Sequence, residues 1–374
     1  MTRRALVLLM LVTMTFLLAG CLFTLNDPLV APDGMLAVFL DAEGAYSLFP
    51  ESATLHLYRG GEWISVPDVT IEEAGGLLGL SPDGAEALYV DVGTDVDSGD
   101  WGELFTPFVS TLYRCALQPD ATPEAVLQTA SAIAKAEWTR RDRILLLLFG
   151  KTELGSLHAL DPTTDRVTLV AEDLLSFATL PGTDELLLLA GRPEAEVPLG
   201  GVVRWDPETG ARRALATFAL SEGTIESFAA LPHRLFWDVS PDGRRIALGL
   251  YDATLVTPAV ETELPALYLV DLVTGEAERL ASEALMPAFA PDGSGLIYAV
   301  EAPGGDAVLM WHSFTAGTSV EVPGSEGVST ASWLSPTTLG MTFEVDEDRF
   351  RMVELDVETE ELHVLIDAAG DASE

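Results

Sequence analysis

Short apolar runs set apart by turn-forming residues give this chain its rhythm. LAVFL, ALYV, ILLLLF, LLLLA, IALGL, LIYAV and LGMTF recur about every 50 residues, and each follows a tight turn. The turn is intact at Ala31-Pro32-Asp33-Gly34, Ser81-Pro82-Asp83-Gly84, Ser240-Pro241-Asp242-Gly243 and Ala290-Pro291-Asp292-Gly293. It is degenerate at Thr139-Arg140-Arg141-Asp142, Leu180-Pro181-Gly182-Thr183 and Ser335-Pro336-Thr337-Thr338. Proline presets φ, aspartate bonds its own neighbouring backbone, and glycine accepts the positive φ of a chain reversal, so each copy predicts a hairpin.

A second turn follows in four of the units. It starts on an aspartate after a strand: Asp161-Pro162-Thr163-Thr164, Asp206-Pro207-Glu208-Thr209, Asp271-Leu272-Val273-Thr274 and Asp356-Val357-Glu358-Thr359. Each unit therefore reads strand, Pro-Asp-Gly turn, strand, variable loop, strand, Asp turn, strand. The run Leu145-Leu146-Leu147-Leu148-Phe149 is apolar without alternation, as expected of a strand buried on both faces. Stacked four-stranded antiparallel sheets satisfy that pattern. The fold expected is an all-β, seven-bladed β-propeller over residues 28–367, with an acidic tail at 368–374.

The motif Pro287-Ala288-Phe289-Ala290-Pro291-Asp292-Gly293, partial at Trp237 to Gly243, resembles the repeat of TolB and of the propellers in prolyl-oligopeptidase and dipeptidyl-peptidase IV relatives. The resemblance implies the fold. It implies no single function, because such propellers serve unrelated tasks.

The start of the chain carries a different signal. Arg3 and Arg4 precede the apolar stretch ALVLLMLVTMTFLL, and Ala19-Gly20 lead into Cys21. A basic start, a short apolar core and small residues before a break describe a secretory leader over residues 1–20. Small residues immediately before cysteine resemble the bacterial lipobox. That resemblance implies cleavage before Cys21, diacylglyceryl on its thiol and acylation of the new amino terminus, with two or more chains giving stable anchoring. The competing reading is an uncleaved anchor, for which the apolar stretch is short. Thr2-Arg3-Arg4 also loosely fits a twin-arginine signal, but the very apolar core favours ordinary export. With a tether of residues 21–27 only, the propeller is expected extracytoplasmic and close to the bilayer. Leu22 after the cysteine resembles outer-membrane sorting where a cell has two membranes.

Charge narrows the partners. The chain carries 20 basic and 59 acidic side chains, a net −39 that excludes nucleic acid as a natural partner and charge-driven binding to anionic lipid. With Cys21 lipidated as the resemblance implies, Cys115 is the only thiol left and no internal disulfide is expected; on a predicted strand it reads as a buried, inert thiol.

The most metal-like segment is Asp91 to Glu103, where Asp95, Asp97 and Asp100 alternate with small residues. Calcium takes six to eight oxygens and one such loop can supply several. The spacing does not match an EF-hand, and a solvated acidic loop is the default in so acidic a chain. No cofactor is expected, calcium being the alternative.

No catalytic residues emerge: there is no G-x-S-x-G elbow and no H-E-x-x-H. His56, His158, His312 and His363 fall on predicted third or fourth strands, away from the axis, while His233 does not. Glu137 and Asp238 fall on innermost strands beside Trp138 and Trp237; polar groups there need partners and are candidates to face a channel ligand. Phe289 and Trp333 on equivalent strands read as packing. The function expected is a monomeric, lipid-anchored, non-catalytic module for an envelope protein, peptide or glycan, using loops 91–107 and 192–201. The alternative is a propeller enzyme, a lyase or hydrolase of envelope polymers, with a polar or metal site lining the channel.

Overall fold

The computed structural model describes residues 29–30, 36–41, 53–59, 62–71, 76–94, 108–118, 121–149, 154–192, 199–219, 236–250, 266–302, 306–346 and 349–367. Every regular element among them is a β-strand.

The first sheet holds β1 (Leu29–Val30), β2 (Leu36–Asp41), β3 (Ala53–Arg59) and β4 (Glu62–Ile71). The second holds β5 (Gly76–Leu80), β6 (Glu86–Thr94), β7 (Phe108–Ala116) and β8 (Glu124–Thr129). A seven-stranded sheet follows. It runs through β9 (Ala132–Trp138), β10 (Ile144–Phe149), β11 (Gly155–Asp161) and β12 (Arg166–Thr179) to β13 (Leu186–Arg192), β14 (Leu199–Trp205) and β15 (Arg212–Ala219). Next come β16 (Trp237–Val239), β17 (Arg245–Leu250), β18 (Ala266–Asp271) and β19 (Ala277–Ala281). The sixth group is β20 (Ala284–Phe289), β21 (Gly295–Glu301), β22 (Ala307–Ser313) and β23 (Thr318–Glu321). The last is β24 (Val328–Trp333), β25 (Thr338–Asp346), β26 (Arg349–Asp356) and β27 (Leu362–Asp367). Within every sheet the strands pair antiparallel in chain order.

The 14-residue strand β12 does two jobs. Arg166 to Ala171 pair with β11 as an outer strand, and Leu174 to Thr179 pair with β13 as an inner one. Asp173 takes a left-handed φ of 59° where the register shifts. Counting β12 in both roles, the described pairings form seven four-stranded groups. The sequence pattern makes RVTLV a short fourth strand separate from the first strand of the next unit, and the structure corrects this: no glycine or proline lies between Arg166 and Thr179, and the strand continues into the next group.

First strands of successive groups touch, β1 to β5, β5 to β9, β16 to β20 and β20 to β24, and β24 touches β1. These strands surround a common axis. The first group comes entirely from residues 29–71 and the last entirely from 328–367, with no strand exchanged between them among the described residues. The sequence would let LFTL after Cys21 supply a closing strand, and those four residues lie outside the described ones.

Packing explains the unbroken apolar runs. In β10, Leu146 and Leu148 join a core with Leu88 and Leu112 of the preceding sheet, whereas Leu145, Leu147 and Phe149 pack with Leu186 and Leu188 of the following group. Leu187 and Leu189 of β13 in turn meet Ile246 and Leu248 of β17. Second strands are thus sandwiched on both faces, and each residue of the run is buried against one neighbour or the other.

The turns behave as their chemistry predicts. Oδ1 of Asp83, Asp242 and Asp292 accepts the N–H two residues on at 3.1, 3.0 and 2.9 Å. In the second turn Asp161, Asp206, Asp271 and Asp356 do the same at 2.9, 2.8, 2.8 and 2.9 Å. All seven carboxyls are held below the usual carboxylate range by neighbouring side chains such as those of Ser81, Thr163, Thr209 and Ser294, by the amides of Thr274 and Thr359 three residues on, and by these amides two residues on, with burial opposing them most at Asp242. Gly275 closes one such turn at φ 76°, and at the equivalent place in the last group Glu360 adopts φ 59°.

Candidate functional site

Polar side chains on the innermost strands converge at β9, β12 and β16. Lys135 and Glu137 alternate on β9, which turns both to the same side. Lys135 Nζ lies 2.8 Å from Glu137 Oε1, with each side chain about a fifth exposed (22% and 23%). The same ammonium donates to the backbone carbonyl of Phe177 on β12 at 2.8 Å. It also sits 5.1 Å from the Phe177 ring centre and 5.8 Å from that of Trp237, within cation–π range of both. Trp237 Nε1 donates to Ser176 Oγ at 2.9 Å, in the buried interior.

The two acids predicted to face a channel ligand are found here, and both reach across to the next group. Glu137 Oε2 accepts the N–H of Thr179 at 3.1 Å. Asp238 Oδ2 accepts the N–H of Phe289 at 2.7 Å, while its Oδ1 accepts from Val239 at 2.8 Å. The repeat accounts for this. Glu137 and Asp238 each stand two residues before the hairpin-closing position (Thr139, Ser240), and each accepts from the residue one before that position in the next group (Leu180, Ala290). One stapling bond is therefore used twice, at different radial junctions. Elsewhere the same place holds Gly79, where a Cβ would lie 2.8 Å from the Ala136 carbonyl oxygen, so backbone contact replaces the side chain.

All four carboxylate oxygens are thereby engaged. Burial pushes Asp238 up to about 6; the amides of Phe289 and Val239, and Lys135 nearby, pull the other way, and Glu137 adds to the rise. Lys135 and Ser176 were not among the sequence-derived candidates. A signal existed for the lysine: it is one of two in the chain, two residues from Glu137 on an innermost strand.

The other candidates lie apart. His158 Nε2 is 3.0 Å from Ser156 Oγ on the third strand β11, and His312 Nδ1 is 3.0 Å from Ser319 Oγ; burial lowers both pKa values. His363 is on the outermost strand β27, and His56 on β3. Among the described residues no three His, Cys, Asp or Glu side chains gather where they could hold a metal ion. Asp95, Asp97 and Asp100 of the acidic loop lie outside the described residues, as do Cys21 and His233. The proposed loop at 192–201 is shorter than expected, because β13 runs to Arg192 and β14 begins at Leu199. Cys115 is 1% exposed on β7, and burial raises its thiol pKa.

No family model matches the chain, and no curated protein does. Solved structures do. The β-propeller domain of the Trilobed protease from Pyrococcus furiosus, described as having an open velcro topology, aligns at TM-score 0.60 and 14% identity, over 92% of this chain and 96% of that one. Acylaminoacyl peptidase from Pyrococcus horikoshii aligns at TM-score 0.58 and 14% identity, over 93% of this chain and 53% of that one. TolB from Acinetobacter baumannii aligns at 0.47 and 13%, over 83% and 75%. The first two carry the fold by themselves: this chain is an all-β protein of four-stranded antiparallel sheets with the architecture of a β-propeller.

Proposed function

We propose that the protein is a seven-bladed propeller, tethered by lipid on Cys21 to the extracytoplasmic side of a membrane, that binds an envelope protein, peptide or glycan without transforming it. The observation that supports this most is the use made of Glu137 and Asp238. Their oxygens hold neighbouring innermost strands together, so these acids stiffen the axis rather than wait for a substrate proton. A rigid scaffold with variable loops is what a recognition module needs.

The enzyme reading has one observation in its favour: Asp238, raised to about 6 beside Lys135, is a carboxyl able to exchange protons near neutrality. The test is affinity capture from native envelopes with lipid-free protein, followed by reconstitution of the captured component with pure protein. A stable stoichiometric complex that leaves the component intact supports the binding module. Conversion of that component, abolished in Asp238→Asn, supports the enzyme. The anchor is checked separately, since Cys21→Ser should move the protein from the detergent to the aqueous phase on partitioning.

A further inference from the structure

His312 on β22 and Ser319 on β23 stand directly opposite each other in the antiparallel ladder, so both side chains leave the sheet on one face. Tyr298 on β21 shares that face, because it stands opposite Met310, two residues before His312. The face is turned to the preceding group: Tyr298 packs with Ala247 of β17 and Leu267 of β18. Three polar groups form a chain there. The Tyr298 hydroxyl donates to Ser319 Oγ at 2.9 Å, and Ser319 Oγ lies 3.0 Å from His312 Nδ1. Tyr298 is 3% exposed, whereas Ser319 and His312 are half-buried.

The placement of protons decides what such a chain can do. Because the phenol donates to it, Ser319 Oγ keeps its own proton to give, and Nδ1 is the acceptor within reach. Burial lowers the pKa of His312, Glu278 opposes the fall and Arg245 adds to it, so the ring is neutral near pH 7 and able to accept. Glu278 acts from the facing group, where it stands opposite Leu269, a residue that packs on the Tyr298 cluster. A carboxylate there favours the imidazolium that a proton transfer would create. Arg245, 4.5 Å from the Phe314 ring centre, and Phe314, with its ring centre 5.5 Å from that of His312, close the same seam.

A second serine and histidine pair shows the contrast. Ser156 Oγ is 3.0 Å from His158 Nε2, but it donates to the Leu148 carbonyl at 3.4 Å, so its proton is spent on the backbone.

We propose that Ser319 is a nucleophile that takes the acyl group of carboxylic esters, with His312 as its general base and Tyr298 as the adjoining hydrogen-bond donor. Oγ attacks the ester carbonyl as its proton passes to Nδ1. Collapse of the adduct expels the alkoxide, which takes that proton and leaves as the alcohol. Water then attacks the acyl carbon, giving its proton to the same nitrogen; the acid departs and Oγ recovers its proton. The proposal goes beyond the binding-module reading, and the cluster lies on second to fourth strands, apart from the axis.

The test treats full-length protein with p-nitrophenyl acetate and, separately, with a fluorophosphonate, and locates adducts by peptide mass spectrometry. Wild type should release nitrophenolate in a burst on the order of one equivalent per chain and carry the adduct on Ser319, with Ser156 unmodified. The labelling rate should rise with pH as His312 loses its proton and then level off. His312→Gln should slow labelling about 100-fold or more, the usual loss with a general base, and Tyr298→Phe about tenfold. Ser319→Ala also strands the buried Tyr298 hydroxyl, so adduct formation on folded wild type is the primary readout. Three results would overturn the proposal: no adduct on Ser319, equal modification of Ser156 and Ser319, or labelling unchanged in His312→Gln. None of them bears on capture of an envelope partner, which tests the binding module by itself.

Discussion

The carboxylate of Asp238 bridges two neighbouring innermost strands by accepting the amide of Phe289 at 2.7 Å. That bond is bought against burial, which lifts the acid to about 6 from an ordinary 3.8. An acid raised on folding holds its proton more tightly in the folded than in the unfolded chain. Its contribution to stability is therefore fully present below about pH 3.8, declines as the pH rises, and levels off above about 6. The whole effect is on the order of 2–3 kcal/mol at 1.36 kcal/mol per pKa unit.

His158 and His312, whose pKa values burial lowers, tilt stability the opposite way below their unfolded value, so the wild type alone is a poor readout. The difference between wild type and Asp238→Asn isolates the group. In thermal melts the wild type should lose ground to the variant from pH 4 to about 6 and hold level from there to pH 7. A difference that stays constant across that range would show that Asp238 does not titrate there.

Lys135 ties three groups together through Glu137, the Phe177 carbonyl and two aromatic rings. Lys135→Met removes the charge and leaves Glu137 Oε1 without its cation. Breaking a partly buried pair from one side should cost about 2 kcal/mol or more in urea unfolding. Adding Glu137→Gln should recover part of that loss, and full additivity of the two changes would show that they do not interact.

Left-handed positions offer a stabilising change. Glu360 sits at φ 59° where Gly275 sits at 76° in an earlier group, and a residue with a Cβ is strained there. Glu360→Gly should raise stability by about 0.5–1 kcal/mol, because relief of that strain outweighs the added freedom of the unfolded chain. Gly275→Ala should do the reverse and more strongly, since its Cβ would also lie 2.8 Å from the Leu215 carbonyl oxygen. Matched denaturant curves decide both.

Cys115 is 1% exposed and its thiol pKa is raised by burial. In a Cys21→Ser background it should resist a thiol-specific disulfide reagent in the native protein and react fully once unfolded. Rapid labelling of the folded protein would contradict the packing described for β7.

Much of this architecture was legible in the sequence because turn chemistry is local. Asp83, Asp242 and Asp292 bond their own neighbours two residues away, so the motif that predicts the hairpin is the hairpin. Double-sided burial of LLLLF could be read from its lack of alternation. The stapling role of Glu137 and Asp238 could be read only in part: their innermost position followed from the repeat, but the amides they meet lie 42 and 51 residues further on. The meeting of Leu80, Trp138 and Leu180 was invisible for the same reason, since they become neighbours only when successive groups stack. Continuity of β12 escaped because a bend at Asp173 needs no glycine or proline to announce it.

That continuity has a mechanical meaning. Elsewhere adjacent groups are separate sheets that meet through side chains and single bonds, and a cut in a connecting loop would leave each hydrogen-bonded ladder whole. Between β11 and β13 the same peptide backbone belongs to two ladders at once, so neither can fray without pulling on the other. Residues 132–219 should open and close as one block in native-state hydrogen exchange, a longer span than any other group, and circular permutation should be tolerated at the other junctions and fail at this one.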